Sequence, residues 1–158
     1  MTMSARAEGV RPSTIELERF VPYLLFRISR RLNAHLREEM RHEGVTIHRW
    51  RVLAVLAAKG SASLSELAAY TVMEQSVISR VVEQMARDGL VRRSASELDR
   101  RVNEVRLTPR GRALFGRVFP VAMLHHQRAI RSLSEAEQRT LVRLLQKILV
   151  GIGEKEYR

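Results

Sequence analysis

The stretch SLSELAAYTVMEQSVISRVVEQMARDGLVRRSASELDRRVNEVRLTPRG, residues 63–111, decides how the chain is read. It holds two short helical patterns joined by a tight turn, then a strand–turn–strand with arginines at its tip. Ser63 and Glu66 have the spacing of a capping box, in which each side chain satisfies a backbone N–H of the other residue. Leu64, Leu67 and Ala68 then fall on one face at helical spacing. The second pattern, over about 75–88, separates into two faces. Ile78, Val81, Val82 and Met85 make an apolar stripe at i, i+3, i+4 and i+7, suited to docking on a core. Ser76, Ser79, Arg80, Glu83 and Arg87 share the opposite face, with Gln75 and Gln84 at its margins. Arg, Gln and Ser can hydrogen-bond base edges and phosphate oxygens in a major groove.

Downstream, Gly89 has the place of a left-handed glycine that ends a helix. Residues 91–95 and 102–107 are enriched in β-formers and arginine, and Val91/Arg92 and Val105/Arg106/Leu107 alternate apolar with basic. Between them, residues 96–101 form a polar turn. An arginine pair there, Arg100 and Arg101, has the reach to enter a minor groove, whose negative potential attracts guanidinium. Asp99 would repel phosphate and fits better as a partner orienting those arginines. Together these elements specify a winged helix-turn-helix.

The residues that complete this pattern resemble a known family. Asp99-Arg100-Arg101, followed by Val105, Leu107-Thr108 and Gly111, is similar to the D-x-R-x-x-x-V-x-L-T-x-x-G signature of MarR-family transcriptional regulators. Glu66-Leu67-Ala68, residues 76–80 and residues 89–93 match the same family's helix-turn-helix in order and spacing, and the resemblance runs from about Phe20 to Ile152. Two positions depart from it. Val72 stands where such turns usually carry glycine, and a β-branched residue disfavours positive φ. Glu74 precedes the second helix, a weaker N-cap than Asp or Ser.

Outward from this module the chain reads as helix. Residues 1–13 are polar and suit a flexible arm. Helical signal runs from 14–16 to about His42, with Phe20, Leu24, Ile28, Leu32, Leu36 and Met40 recurring every four residues. Thr46 caps a helix over about 47–58, which Lys59-Gly60 stops. Thr108-Pro109 opens a long helix to about Arg131, where Pro120 predicts a kink. Ser134 and Glu137 form a second capping box before a last helix over about 135–151. The expected fold is mainly α with a small β-wing. A winged helix-turn-helix DNA-binding domain (45–108) is flanked by dimerisation helices at the N-terminal (14–44) and C-terminal (109–158) ends. Neither the first helix nor the last two have a sequence neighbour able to cover their apolar stripes. A second copy would cover them, and a two-fold homodimer suits a pseudo-palindromic operator in double-stranded DNA.

Composition narrows the partners. Among 158 residues, 28 are Lys or Arg and 17 Asp or Glu, a formal charge of +11 that favours a polyanion. There is no cysteine, which excludes disulfides, thiolate metal sites and thiol redox sensing. No apolar run approaches the roughly 20 residues of a membrane span, and no signal-peptide pattern opens the chain, so a cytoplasmic protein is expected. No nucleophile elbow, phosphate loop or dinucleotide fingerprint occurs, so no enzyme, cofactor or catalytic residue is expected. His125 and His126 are adjacent and point about 100° apart on a helix, which does not favour a shared metal.

The candidate DNA-binding residues are Ser65, Gln75, Ser76, Ser79, Arg80, Gln84, Arg87 and Arg93, with Asp99, Arg100 and Arg101 in the wing. The resemblance further implies a small-molecule effector, an aromatic or carboxylate-bearing anion that releases a repressor from DNA. It would bind a crevice lined by the first helix, the start of the second and the long fifth. Arg27, His48 and Trp50 are the candidates there, as a carboxylate partner, a polar handle and an aromatic wall. A metal-responsive regulator of the same fold and a sequence-neutral basic nucleic-acid-binding protein are the alternatives.

Overall fold

The computed structural model describes residues 16–95 and 103–153. The arm expected over 1–13 and the wing tip with Asp99, Arg100 and Arg101 lie outside the described residues. The chain divides into two compact units between His35 and Leu36. In the first, one turn of 3-10 helix, Leu17–Arg19, precedes helix α1, Val21–His42, which continues into the second unit. The helix therefore starts later than the sequence pattern suggested, with Pro22 in its first turn, where a missing N–H leaves no bond unmade. Phe20, Val21, Leu25, Phe26 and Ile28 are exposed.

The second unit adds α2 (Ile47–Lys59), β1 (Ser61–Ser63), α3 (Leu64–Thr71), α4 (Gln75–Arg87), β2 (Val91–Ala95), β3 (Asn103–Leu107), α5 (Pro109–Ile130) and α6 (Glu135–Gly151). The architecture is mainly helical with a small antiparallel sheet ordered β1-β3-β2. Local signals set most boundaries. Ser63 Oγ accepts from the Glu66 N–H at 3.2 Å while the Ser63 N–H donates to the Glu66 carboxylate at 2.8 Å, closing the first capping box. Ser134 and Glu137 repeat it, with the Ser134 N–H donating at 2.8 Å. The Ser134 hydroxyl and N–H together hold the Glu137 carboxyl below its ordinary range. Thr46 caps α2, and α5 continues through Pro120 without a break.

The apolar stripe of α4 is buried at all four positions, Ile78, Val81, Val82 and Met85. It packs in one core with Leu53 and Leu56 of α2, Leu67 of α3, and Val105 and Leu107 of β3. Burying a side chain such as Ile78 or Met85 contributes roughly 1.5–3 kcal/mol each. In the sheet, Val91 pairs with Leu107 on the core side, while Arg92 faces Arg106 on the other. Glu104 holds Arg106 at 3.1 Å, which offsets the repulsion of that like-charged cross-strand pair. No residue of α6 is buried, and Leu141, Leu144, Ile148 and Leu149 are exposed.

One junction fixes the base of the wing. The Thr108 N–H donates to the Leu90 carbonyl at 3.0 Å, and Thr108 Oγ1 donates to the Gly89 carbonyl at 2.6 Å. The same hydroxyl accepts from the Gly111 N–H at 3.0 Å, capping α5. Gly111 lies so near the Leu90 carbonyl oxygen that an added Cβ would overlap it. The turn between α3 and α4 carries a different tension. Val72 adopts φ 52° and ψ 47°, the left-handed region, and stands 80% exposed.

Two stability predictions follow from these positions. Gly111→Ala should destabilise by about 2–3 kcal/mol, because the obstacle is a backbone carbonyl that cannot rotate away. Val72→Gly should do the opposite. Relief of about 1–2 kcal/mol of left-handed strain outweighs the roughly 0.5–1 kcal/mol of added unfolded-chain freedom. Urea midpoints read at unchanged slope check both signs, and a stabilised G111A or a destabilised V72G would contradict this account.

Candidate nucleic-acid interface

The exposed face of α4 follows from its own periodicity. Once Ile78, Val82 and Met85 dock on the core, the residues half a turn away must face solvent. Gln75, Ser76, Arg80, Glu83, Gln84 and Arg87 are exposed and Ser79 is half-buried. Glu74 precedes α4 and makes no side-chain cap, so the first amide groups of the helix have no side-chain acceptor from that residue. Ser65, at the start of α3, is exposed as well. Arg93 of β2 stands opposite the buried Val105 in the register and is itself exposed. None of Arg80, Arg87 and Arg93 forms an ion pair with another described residue. The α4 and β2 candidates thus share one module with Ser65, but Arg87 sits about 18 Å along the helix from Gln75, at 1.5 Å per residue.

The candidate effector residues have unlike settings. Trp50 is half-buried against the core and stacks on Phe115, centroids 5.9 Å apart and planes 2° from parallel. Phe115 in turn meets Phe119 at 5.2 Å, and Phe119 is exposed. His48 is exposed in the first turn of α2. Arg27 belongs to the first unit, where its guanidinium lies 5.5 Å from the centre of the Tyr23 ring. Phe115 and Phe119 were not singled out from sequence, although their i, i+4 spacing marks a shared helix face.

Two further groupings join residues far apart in the chain. Glu39 of α1 accepts from Arg128 at 2.9 Å and lies 3.4 Å from His125 Nδ1, both on α5. Arg49 of α2 pairs with Asp88 at 2.6 Å, at the end of α4. Among the described residues no three of His, Asp and Glu converge as metal ligands. No described helix is long and apolar enough to cross a membrane.

Comparison with known proteins agrees with this geometry. The sequence model of the MarR family matches residues 43–102. The HTH-type transcriptional repressor IacR of Pseudomonas putida is 32% identical over 131 residues, covering 83% of this chain and 78% of that protein. A MarR-family regulator from Silicibacter pomeroyi superposes with a TM-score of 0.81 at 37% identity, over 89% of this chain and 95% of that one. BpsR of Bordetella bronchiseptica, whose DNA binding is regulated by 6-hydroxynicotinic acid, superposes at 0.75 with 30% identity, over 85% and 96%. These relatives are transcriptional regulators and not enzymes. On shared sequence and shared fold, the chain belongs to the MarR family of winged helix-turn-helix transcriptional regulators.

Proposed function

We propose that the chain acts in the cytoplasm as a homodimeric, sequence-specific repressor that lays α4 in the major groove of an operator. The observation that carries this reading is the face of α4, where Gln75, Ser76, Arg80 and Gln84 stand exposed above a fully buried apolar stripe. Residues at the start of a recognition helix reach base edges, so Gln75, Ser76, Ser79 and Arg80 are assigned to base reading. Ser65, Gln84, Arg87 and Arg93 are assigned to flanking phosphates. Arg100 and Arg101 are assigned to the minor groove, with Asp99 holding the wing. The exposed apolar residues of α6, with those at the start of α1, support a second copy as their cover.

An organic effector is part of the same proposal. The row Trp50–Phe115–Phe119 offers a stacked aromatic surface that ends at an exposed ring. Such a surface suits a planar aromatic acid, and His48, two residues before Trp50 on α2, supplies a polar group nearby in sequence. The regulation of BpsR by 6-hydroxynicotinic acid supports this class of ligand.

Selection of binding sites from random duplexes should return an inverted repeat with half-sites about one helical turn apart. On that site Arg80→Ala should cost about 1–3 kcal/mol and relax preference at one base position. Arg93→Ala should weaken all duplexes alike and flatten the salt slope by about one unit. Equal affinity for every duplex would overturn the sequence-specific reading. Trp50 is the only tryptophan in the chain, so its emission isolates the aromatic row. Titration with 6-hydroxynicotinate or a related aromatic acid should change that emission and release the operator over the same concentration range. Release without a change at Trp50 would place the effector elsewhere.

A further inference from the structure

Helix α5 has a second chemistry on its other side. At 100° per residue, Arg110, Ala113, Leu114 and Arg117 share one face, and Phe115 and Phe119 point roughly the opposite way. Against the arginine face lies a cleft of about 540 Å³, bounded by the start of α2, the end of α4 and the first turns of α5. Four guanidiniums line it, from Arg49, Arg87, Arg110 and Arg117, against the two carboxylates of Glu43 and Asp88. Asp88 is engaged by Arg49 at 2.6 Å. Arg87, Arg110 and Arg117 form no ion pair with another described residue. Arg110 reaches back toward the end of α4, where its Nη1 would lie 3.9 Å from a Cβ placed on Gly89.

The carbonyl end of α4 attracts cationic side chains, and one such arginine would be ordinary. Three unmatched guanidiniums around one cleft repel each other, and all three are exposed, so the core gains nothing from them. We propose that this cleft binds a small anion bearing a doubly charged phosphate group, held by Arg87, Arg110 and Arg117. The guanidinium fork matches phosphate oxygens in pairs, and two excess positive charges in the lining suit a dianion. The volume lies within the range of small-molecule sites and exceeds what a bare phosphate fills, so a phosphorylated metabolite or a pyrophosphate group fits. Leu90 and Leu114 are the larger apolar side chains in the lining, which makes an aromatic monoacid a poor occupant. Arg87 is shared with the flanking-phosphate assignment above, whereas Arg110 and Arg117 of α5 are not; a free anion is preferred over a DNA backbone for the cleft because the base-reading end of α4 is the other end. That preference rests on the proposed function; the anion site does not.

Pyrophosphate is the probe. At fixed ionic strength, replacing chloride by millimolar pyrophosphate should raise the melting temperature of the full chain by several degrees. The double variant Arg110→Gln/Arg117→Gln should melt normally without pyrophosphate and lose most of that rise. Calorimetric titration of Arg110→Lys, which keeps the charge and loses the fork, should show binding weakened about tenfold while the fold stays intact. No rise in the unmodified chain, or an equal rise in the double variant, overturns the site. DNA supplies the second arm. Without pyrophosphate, the double variant should bind a fixed duplex within about twofold of the unmodified chain. A parallel loss of DNA affinity with a flatter salt slope would assign these arginines to the DNA backbone and overturn the proposal. Failure of the unmodified chain to bind any duplex would sink the DNA reading alone, because the pyrophosphate titration is read without DNA.

Discussion

The carbonyl oxygen of Leu90 is the point at which three parts of this molecule are tied. It follows directly on the end of α4, it opens β2, and it receives the Thr108 N–H that starts α5. Thr108 then uses its hydroxyl twice, donating to the Gly89 carbonyl and accepting from the Gly111 N–H. Gly111 is required because the helix axis passes too close to that carbonyl for any side chain. The sheet register begins beside this crossing, at Val91 opposite Leu107. A slip of one residue there would turn Val105 and Leu107 to solvent and Arg106 into the core. The end of α4, the start of β2 and the start of α5 are thus tied together at one backbone contact.

What could be read from sequence was what the chain decides locally. Capping boxes at Ser63 and Ser134, the Thr108-Pro109 start and the stripe of α4 each depend on residues within a turn or two of each other. β1 was invisible because Ser61-Ala62-Ser63 has no β-former; it is a strand because the free edge of β3 accepts it, with Ala62 opposite Val105. The partners of Trp50 are invisible for a related reason, since nothing near residue 50 announces a ring at residue 115. The same holds for Glu39 with Arg128, and for the gathering of Arg49, Arg87, Arg110 and Arg117 from three helices. The exposed face of α4 was legible because the buried face of an amphipathic helix dictates the exposed one.

Val72 shows how a departure from pattern is absorbed. Left-handed geometry at a β-branched residue costs about 1–2 kcal/mol, yet the turn keeps it. The Val72 N–H still bonds the Ala69 carbonyl at 3.3 Å, and the Met73 N–H bonds that of Ala68 at 3.1 Å. On the far side of the turn, the Val77 and Ile78 N–H groups both bond the Glu74 carbonyl, which starts α4 despite the missing side-chain cap. With Leu67 and Ile78 buried on either side, the core dictates the path between the helices and the turn must follow it. The sequence pattern identified the strained position correctly, and tertiary packing decided that the strain would be borne there.

The basic charge of the chain is distributed with the same logic. Net charge alone would attract any polyanion, and it cannot by itself create preference among anions. Preference needs fixed geometry, and α5 provides two kinds at once. On one side Phe115 and Phe119 continue the ring of Trp50, a surface that rewards flat apolar groups. On the other, Arg110 and Arg117 stand two turns apart beside the end of α4, a surface that rewards compact charge. A single helix can therefore separate ligands by chemistry because its periodicity keeps the two faces from mixing. Both faces belong to the helix that begins at the Leu90 carbonyl. Whatever binds either one acts on the element whose first turn is bonded to the end of α4 and the base of β2.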